Sequence, residues 1–185
     1  MNKLFEKNNY FILTGAMGAG KSTILQELIA LKYLCIEEPA RPIIAEQRGI
    51  EGDGIYDRNP KLFVELMLSR AMFQFKQMQN CDNNVIFDRG IPDNITYAQG
   101  FGWDPSHIHN ASKQYRYNNL VFFTPGWKEI YQTDDERKMS FEAAKQFGDD
   151  VRKLYLSLGY KVIDVPFGKP EVRAKFIIDT INETN

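Results

Sequence analysis

The chain has 185 residues, of which 43% are hydrophobic and 25% charged, and its formal net charge at pH 7 is −1. This size and composition predict one globular domain over residues 1–185. The near-neutral charge gives no electrostatic reason to expect nucleic acid or an anionic membrane as a partner. No segment has the apolar run of a signal peptide or a membrane span, and Cys35 and Cys81 lack metal-ligand spacing. We therefore expect a cytoplasmic protein whose two cysteines are reduced and buried.

Short apolar runs alternate with longer helix-like segments along the chain. Strands are predicted at 10–14, 33–37, 84–88, 120–123 and 160–165, and helices at 22–29, 60–79, 140–158 and 170–181. This alternation is typical of α/β proteins with a central parallel sheet, here of about five strands, and helices on both faces. The glycine-rich stretch 49–54 is the most loop-like region.

The segment between the first strand and the first helix matches the P-loop pattern G-x-x-x-x-G-K-[ST]. Its glycines let the backbone wrap around phosphates, and the following helix points its N-terminus at the anion. Lys21 is predicted to act in catalysis by reaching the β- and γ-phosphates, and the Ser22 hydroxyl to bind Mg²⁺. We expect the nucleotide to be bound by Gly15, Ala16, Met17, Gly18, Ala19, Gly20, Lys21, Ser22 and Thr23. The motif predicts a three-layer P-loop protein that binds a nucleoside triphosphate.

Charged residues follow other predicted strands, where ligands of open parallel sheets bind. Asp88 ends the third strand and is predicted to hold Mg²⁺ together with Ser22; the alternative is that it caps the next segment. Arg89 is a candidate for binding phosphate or acceptor substrate, and pairing with a carboxylate is the alternative.

Two carboxylates, Glu37 and Glu38, end the second strand, and only one can easily face the nucleotide because strand side chains alternate. We favour Glu38 as a general base and substrate ligand because Pro39 restricts its backbone; a surface or ion-pair role is the alternative. Arg41 is a candidate donor to a substrate anion or ribose. Arg70, on the long predicted helix, is a weaker candidate for substrate binding.

The segment 126–140 lies where small P-loop kinases carry a lid that closes over the phosphates. Arg137 is predicted to neutralise charge on the transferred group, and an ordinary charged helix start is the alternative. His107 and His109 are too few for a metal site. Trp103, Tyr115 and Tyr117 are expected to pack or to line a pocket.

Together these motifs resemble the AAA-type P-loop domain family that includes the ribosylnicotinamide kinase half of the bacterial NAD regulator. The matching segments are 15–22, 37–41, 87–93, 130–137 and 158–166. The chain is also similar to deoxyribonucleoside kinases in its Glu-Pro after the second strand and its acidic-Arg pair after the third. The resemblance implies that Glu38 is the base, Asp88 the metal carboxylate and Arg137 a lid arginine, with the turn 165–168 beside adenine.

Two departures from these families stand out in the sequence. The chain is too short for the separate helical lid domain of ring-forming AAA motors. Gly90 also stands where nucleoside kinases usually have serine.

The motifs predict a kinase that uses ATP or GTP with Mg²⁺ and transfers the γ-phosphate to a hydroxyl of a small nucleoside- or riboside-like acceptor. The alternative is a regulatory ATPase or GTPase that binds a partner protein in a nucleotide-dependent way, because a P-loop serves transfer, hydrolysis and switching alike. Nucleic-acid end processing is disfavoured by the lack of a basic stripe. The sequence leaves the oligomeric state open.

Overall fold

The computed structural model describes residues 4–133 and 139–184. Within them the strands are β1 (Phe5–Glu6), β2 (Tyr10–Gly15), β3 (Leu34–Ile36), β4 (Val85–Asp88), β5 (Tyr115–Arg116), β6 (Leu120–Thr124) and β7 (Lys161–Asp164). The α-helices are α1 (Lys21–Ala30), α2 (Ala40–Gly49), α3 (Pro60–Gln77), α4 (Asp93–Gly100), α5 (Ser106–Gln114), α6 (Phe141–Ser157) and α7 (Pro170–Thr184). A short 3₁₀ helix covers Lys128–Ile130.

Five of the strands form one parallel sheet in the order β3-β4-β2-β6-β7. The central strand β2 pairs with both neighbours, so that Ile12 lies opposite Phe87 on one side and Val121 on the other. All six β2 residues are buried, as expected for a parallel strand with both faces covered. The predicted α/β fold and its five strands are confirmed. The short β1–β5 pairing, also parallel, was not predicted.

The sheet separates two hydrophobic cores, which makes three layers. Tyr10 and Ile12 face a core that includes residues of α2, α3, α4, α5 and α6. Phe11 and Leu13 face a smaller core built with α1 and α7. Because side chains alternate along β2, this one strand contributes residues to both cores.

The predicted helix boundaries are largely reproduced, and their end residues explain why. The Asn59 side chain accepts a hydrogen bond from the Leu62 amide at 3.1 Å, and Pro60 opens α3. Ser140 caps α6 in the same way, accepting from the Ala143 amide at 3.2 Å.

The short helices α2, α4 and α5 were not predicted from the sequence. Their amphipathic repeat is short, so tertiary packing contributes most of their stability. The cysteine prediction was partly wrong: both thiols are free but only half-buried. Cys35 lies on the edge strand β3, and partial burial there raises its pKa to about 12. Within the described residues, no helix combines the length and apolarity needed to cross a membrane.

Candidate active site

The P-loop joins the end of β2 to the start of α1 and is tied to the neighbouring strand. The Ala16 amide donates to the Thr124 carbonyl of β6 at 3.0 Å. A Cβ atom at Gly15 would stand 2.2 Å from that same oxygen, so only glycine fits here. Gly148 of α6 is equally restricted, because a Cβ there would approach the Ala16 backbone to 2.9 Å. The loop is thus held in place by β6 and α6.

Lys21 and Asp88 form the buried charged centre beside the loop. Lys21 is 7% exposed, and its Nζ donates to the Ala16 carbonyl at 3.0 Å. Burial and the nearby Arg89 charge lower the pKa of Lys21 to about 8. Burial raises the pKa of Asp88 to about 7, although Lys21 opposes the rise. Among the described residues, Asp88 Oδ1 is buried without a hydrogen-bond partner, so its acceptor capacity is unfilled.

Arg89 lies under the loop in a strained backbone conformation, with φ of 64°. Its Nη1 donates to Asp93 Oδ1 at 3.1 Å and to the Gly15 carbonyl at 3.2 Å. Its Nε lies 2.9 Å from Glu38 Oε1, in an ion pair. Arg89 therefore pairs with carboxylates, the alternative stated from the sequence, and it also lines the cavity described below.

Asp93, the first residue of α4, is the fixed point of this network and is 1% exposed. Besides Arg89, its carboxylate accepts from the Thr14 hydroxyl at 2.5 Å and the Tyr155 hydroxyl at 2.5 Å. The Gly90 amide also donates to it, at 2.9 Å. Asp93 thereby links β2, α4 and α6. Sequence reasoning gave it no role, although a carboxylate after Pro92 at a helix start was a usable signal.

Glu38, rather than Glu37, is the carboxylate that faces the site. The Tyr97 hydroxyl donates to Glu38 Oε1 at 3.0 Å, and Arg89 pairs with the same oxygen. Its side chain is 23% exposed and lines the cavity. Glu37 is exposed and lies outside the cavity lining. The two donors hold the Glu38 carboxylate in one orientation.

One cavity of about 1290 Å³ connects these groups. Several predicted site residues line it: Met17, Gly18, Gly20, Lys21, Ser22, Thr23, Glu38, Arg41, Asp88 and Arg89. Sequence reasoning assigned no role to a set of aromatic residues that also line the cavity, namely Tyr56, Phe63, Tyr97, Phe101 and Phe147. Their spacing resembles ordinary core residues, so no local signal distinguishes them. Gly15, Ala16 and Ala19 belong to the loop without lining the cavity.

Trp127 and Arg173 lie together in another part of the cavity lining. The Trp127 and Phe167 rings lie 5.0 Å apart between centroids. Trp127, Gly168 and Arg173 line the cavity, so the predicted turn 165–168 contributes to it. Arg173 of α7 was not singled out in the sequence, where it looks like any helical arginine.

Arg70 is a further predicted site residue that does not line this cavity. Arg70 Nη2 pairs with Glu46 Oε2 at 2.8 Å, and both line a separate pocket of about 380 Å³. Arg137 lies outside the described residues. Described parts of the expected lid segment, including Ile130, Gln132, Thr133 and Met139, do line the main cavity.

The remaining candidates occupy structural positions. His107 pairs with Glu65 at 2.9 Å, and Tyr115 and Tyr117 are buried against Phe75. Trp103 packs against the larger core. Among the residues that the structure describes, no three His, Cys, Asp or Glu side chains are grouped to hold a metal ion.

A family model described as an AAA domain matches residues 10–173. No curated protein matches the chain by sequence.

Solved structures share the fold at low sequence identity. Deoxyadenosine kinase from M. mycoides with bound dATP has a TM-score of 0.66 and 18% identity over 94% of this chain and 98% of its own. A NadR protein in complex with NR has a TM-score of 0.65 and 16% identity, covering 97% of this chain but 50% of its own. Shikimate kinase from Aquifex aeolicus has a TM-score of 0.56 and 16% identity over 95% of this chain and 97% of its own. At these identities the likeness establishes the three-layer fold.

Proposed function

The chain belongs to the AAA domain family, and from this premise we propose that it is a P-loop kinase acting on a small molecule. The proposed reaction moves the γ-phosphate of ATP or GTP to a hydroxyl group of a nucleoside- or riboside-like acceptor. The observation that carries the proposal is a single cavity shared by the phosphate loop and an oriented carboxylate, Glu38. At about 1290 Å³, it exceeds the roughly 300–1,000 Å³ of an ordinary ligand pocket. It therefore offers room for a donor and an acceptor together.

The nucleotide phosphates are placed by the loop backbone and the N-terminus of α1. Lys21, now bonded to the Ala16 carbonyl, turns its ammonium to the β- and γ-phosphates. The bound anion favours the charged amine, so nucleotide binding raises the pKa of Lys21 from its lowered value of about 8. Fixed positive charge at the transferred group lowers the barrier because charge on its oxygens changes during transfer.

The residues present fit Mg²⁺. A divalent cation prefers oxygen ligands and keeps several waters, so Ser22, Asp88 and the phosphates suffice without a three-carboxylate cluster. The unpaired Asp88 Oδ1 supplies the buried acceptor that such a site needs. When bound, Mg²⁺ neutralises phosphate charge and orients the β- and γ-phosphates.

Glu38 is proposed to accept the proton of the acceptor hydroxyl as its oxygen attacks the γ-phosphorus. The new O–P bond forms while the bond to the β-phosphate oxygen breaks, and the nucleoside diphosphate leaves. Tyr97 and Arg89 keep the Glu38 carboxylate in place for this transfer. Arg41 lines the same cavity and is proposed to bind the acceptor. Arg137 is proposed to close over the phosphates from the lid segment.

The acceptor side of the cavity fits a flat ring with a hydroxyl-bearing arm. The Phe147 ring lies 5.3 Å from the Arg89 guanidinium, and Tyr56, Phe63 and Phe101 add aromatic surface to the same cavity. Rings of this kind stack favourably on heterocycles. The relatives named above as deoxyadenosine kinase with dATP and NadR with NR support nucleotide use and a riboside-like acceptor.

The deciding experiment is Mg²⁺-dependent nucleotide turnover measured with and without a panel of nucleosides and ribosides, with phosphorylated product identified by mass spectrometry. A large acceptor-dependent rise in nucleoside diphosphate, with stoichiometric product, is expected. Lys21→Met is the control, and its turnover should fall by about 10²–10³-fold with the circular dichroism spectrum unchanged. Slow turnover that ignores every acceptor would contradict the kinase and favour the regulatory nucleotidase.

A further inference from the structure

The guanidinium group of Arg173, on the C-terminal helix α7, contacts the P-loop. Arg173 is 1% exposed, and its Nη1 donates to the Ala19 carbonyl at 2.9 Å. A Cβ atom at Gly20 would come within 2.7 Å of that nitrogen. The glycine required by the P-loop pattern thus also makes room for an arginine 153 positions later in the chain. Arg173 therefore packs directly against the P-loop.

Most of the hydrogen-bonding capacity of this guanidinium is unused. Among the described residues, its Nε and Nη2 are buried without any hydrogen-bond partner. The group faces the Trp127 ring at 5.6 Å from the centroid, which offsets only part of the lost hydration. Burial lowers the pKa of Arg173. A buried cation with two unpaired donors is costly unless a ligand anion completes it.

The position of Arg173 distinguishes it from the other cations of the cavity. Lys21 and Arg89 interact with Glu38, Asp88 and Asp93 at the acceptor side. Within residues 4–133 and 139–184, no carboxylate shifts the pKa of Arg173, which lies on the Trp127 side of the loop, beside Gly20. In a P-loop, the lysine reaches the β- and γ-phosphates, so a donor displaced toward the aromatic side meets the remaining phosphate.

We propose that Arg173 binds the α-phosphate of the nucleotide, using its Nε and Nη2 donors while Nη1 stays on the Ala19 carbonyl. The guanidinium then acts as a fork that joins α7, the loop and the phosphate nearest the sugar. This assignment depends on the nucleotide binding of the proposed function but is independent of the acceptor. Both donors are assigned to one non-bridging oxygen, because the planar guanidinium fixes the directions of its N–H groups.

The test compares binding of ATP and of the two α-phosphorothioate diastereomers of ATP to the wild-type protein and to Arg173→Met. ATP affinity should fall roughly tenfold to a hundredfold, the range for hydrogen bonds to a charged group. The ratio of the dissociation constants of the two diastereomers should also change, because sulfur replaces the contacted oxygen in only one of them. Lys175→Met removes a cation from an exposed position of the same helix, where Lys175 pairs with Asp179, and should alter neither quantity.

A merely structural arginine would weaken both diastereomers equally, and that result would overturn the proposal, as would unchanged ATP affinity. If Arg173→Met does not fold, Arg173→Lys keeps the charge but not the fork, and the same ratio decides the question. A changed ratio in a protein that phosphorylates no acceptor would leave the α-phosphate contact standing and refute the kinase. An unchanged ratio in an active kinase would refute the α-phosphate contact and leave the kinase standing.

Discussion

The two sides of the main cavity are built on opposite principles. On the acceptor side, Glu38, Arg89 and Asp93 satisfy one another through ion pairs and hydrogen bonds. On the other side, Trp127 and Arg173 line the cavity, and among the described residues the Nε and Nη2 of Arg173 have no hydrogen-bond partner. The first side holds its geometry before any ligand arrives, and the second is completed by a ligand.

The Glu38 side needs a rigid arrangement, and the Trp127 side does not. A general base contributes only when it is held close to the hydroxyl that it deprotonates, so its supports must be in place beforehand. Nucleotide binding, in contrast, gains from donors that are left free until the phosphate supplies their partner. Variants on the acceptor side should therefore affect chemistry and folding, whereas variants on the Trp127 side should affect affinity.

The largest effect is expected for Glu38→Gln. The amide cannot accept the proton, so the turnover number of phosphotransfer should fall about 10²–10⁴-fold while ATP affinity stays within a few-fold of wild type. Single-turnover kinetics and calorimetric titration measure the two quantities. Glu37→Gln is the matched control because Glu37 is exposed and outside the cavity lining. Full activity of the Glu38 variant would remove this residue as the base.

Asp93→Asn tests whether the hydrogen bonds and ion pair of Asp93 stabilise the fold around the site. Four donors converge on the Asp93 carboxylate, and loss of its charge leaves Arg89 with one buried partner fewer. We expect the free energy of unfolding to fall by about 3 kcal/mol, measured by urea denaturation. Asp179→Asn, which breaks an exposed pair on α7, should cost less than about 1 kcal/mol. Equal stability of the two variants would show that the network does not support the site.

The pH dependence of kcat/KM for the nucleotide should report the Lys21–Asp88 pair. Asp88 must be ionised to bind Mg²⁺, and its pKa is raised to about 7, so activity should fall about tenfold per pH unit below that value. Lys21 must be protonated to bind phosphate, and its pKa is lowered to about 8, so activity should also fall above that value. The apparent pKa values read from the two limbs of the pH profile belong to the coupled pair of Lys21 and Asp88 rather than to either residue alone. Asp88→Asn should lower activity and flatten the acid limb; an unchanged acid limb would assign it to another group.

The smallest effect is expected for Trp127→Ala on the other side of the cavity. Loss of an aromatic surface for the base should weaken ATP binding by about 1 kcal/mol, close to fivefold, with little change in the turnover number. Trp103→Phe is the control, since Trp103 packs against the larger core. Tryptophan fluorescence distinguishes the two: nucleotide should quench the Trp103→Phe protein but not Trp127→Ala. Persistent quenching in Trp127→Ala would place the base elsewhere.

The central sheet and the loop were readable from the sequence because both depend on local patterns. Buried parallel strands are short continuous apolar runs, and the P-loop needs glycine, lysine and serine at fixed positions. The position of Asp88 followed directly, since it ends one of those runs. That Glu38 rather than Glu37 lines the cavity agrees with the choice made from strand alternation and Pro39. Its role as a base stays a prediction.

The supports of the site were not readable, because they join distant parts of the chain. Asp93 bonds Thr14 across 79 positions, and Arg173 bonds Ala19 across 154. Arg70 illustrates the opposite case: a helical arginine suited to a substrate by its chemistry pairs instead with Glu46 outside the main cavity. Residue type alone does not say which way a helix turns its side chains.

Local sequence patterns were enough to predict the fold class, the phosphate loop and the carboxylates after two strands, because periodicity, glycine geometry and strand alternation act over a few residues. Tertiary structure decided which charges meet: the anchoring of Arg89 by Asp93, the approach of Gly148 to the loop and the delivery of Arg173 by α7. Ion pairs and close contacts depend on distances of a few ångströms between elements. Those distances are fixed only when the helices have packed on the sheet.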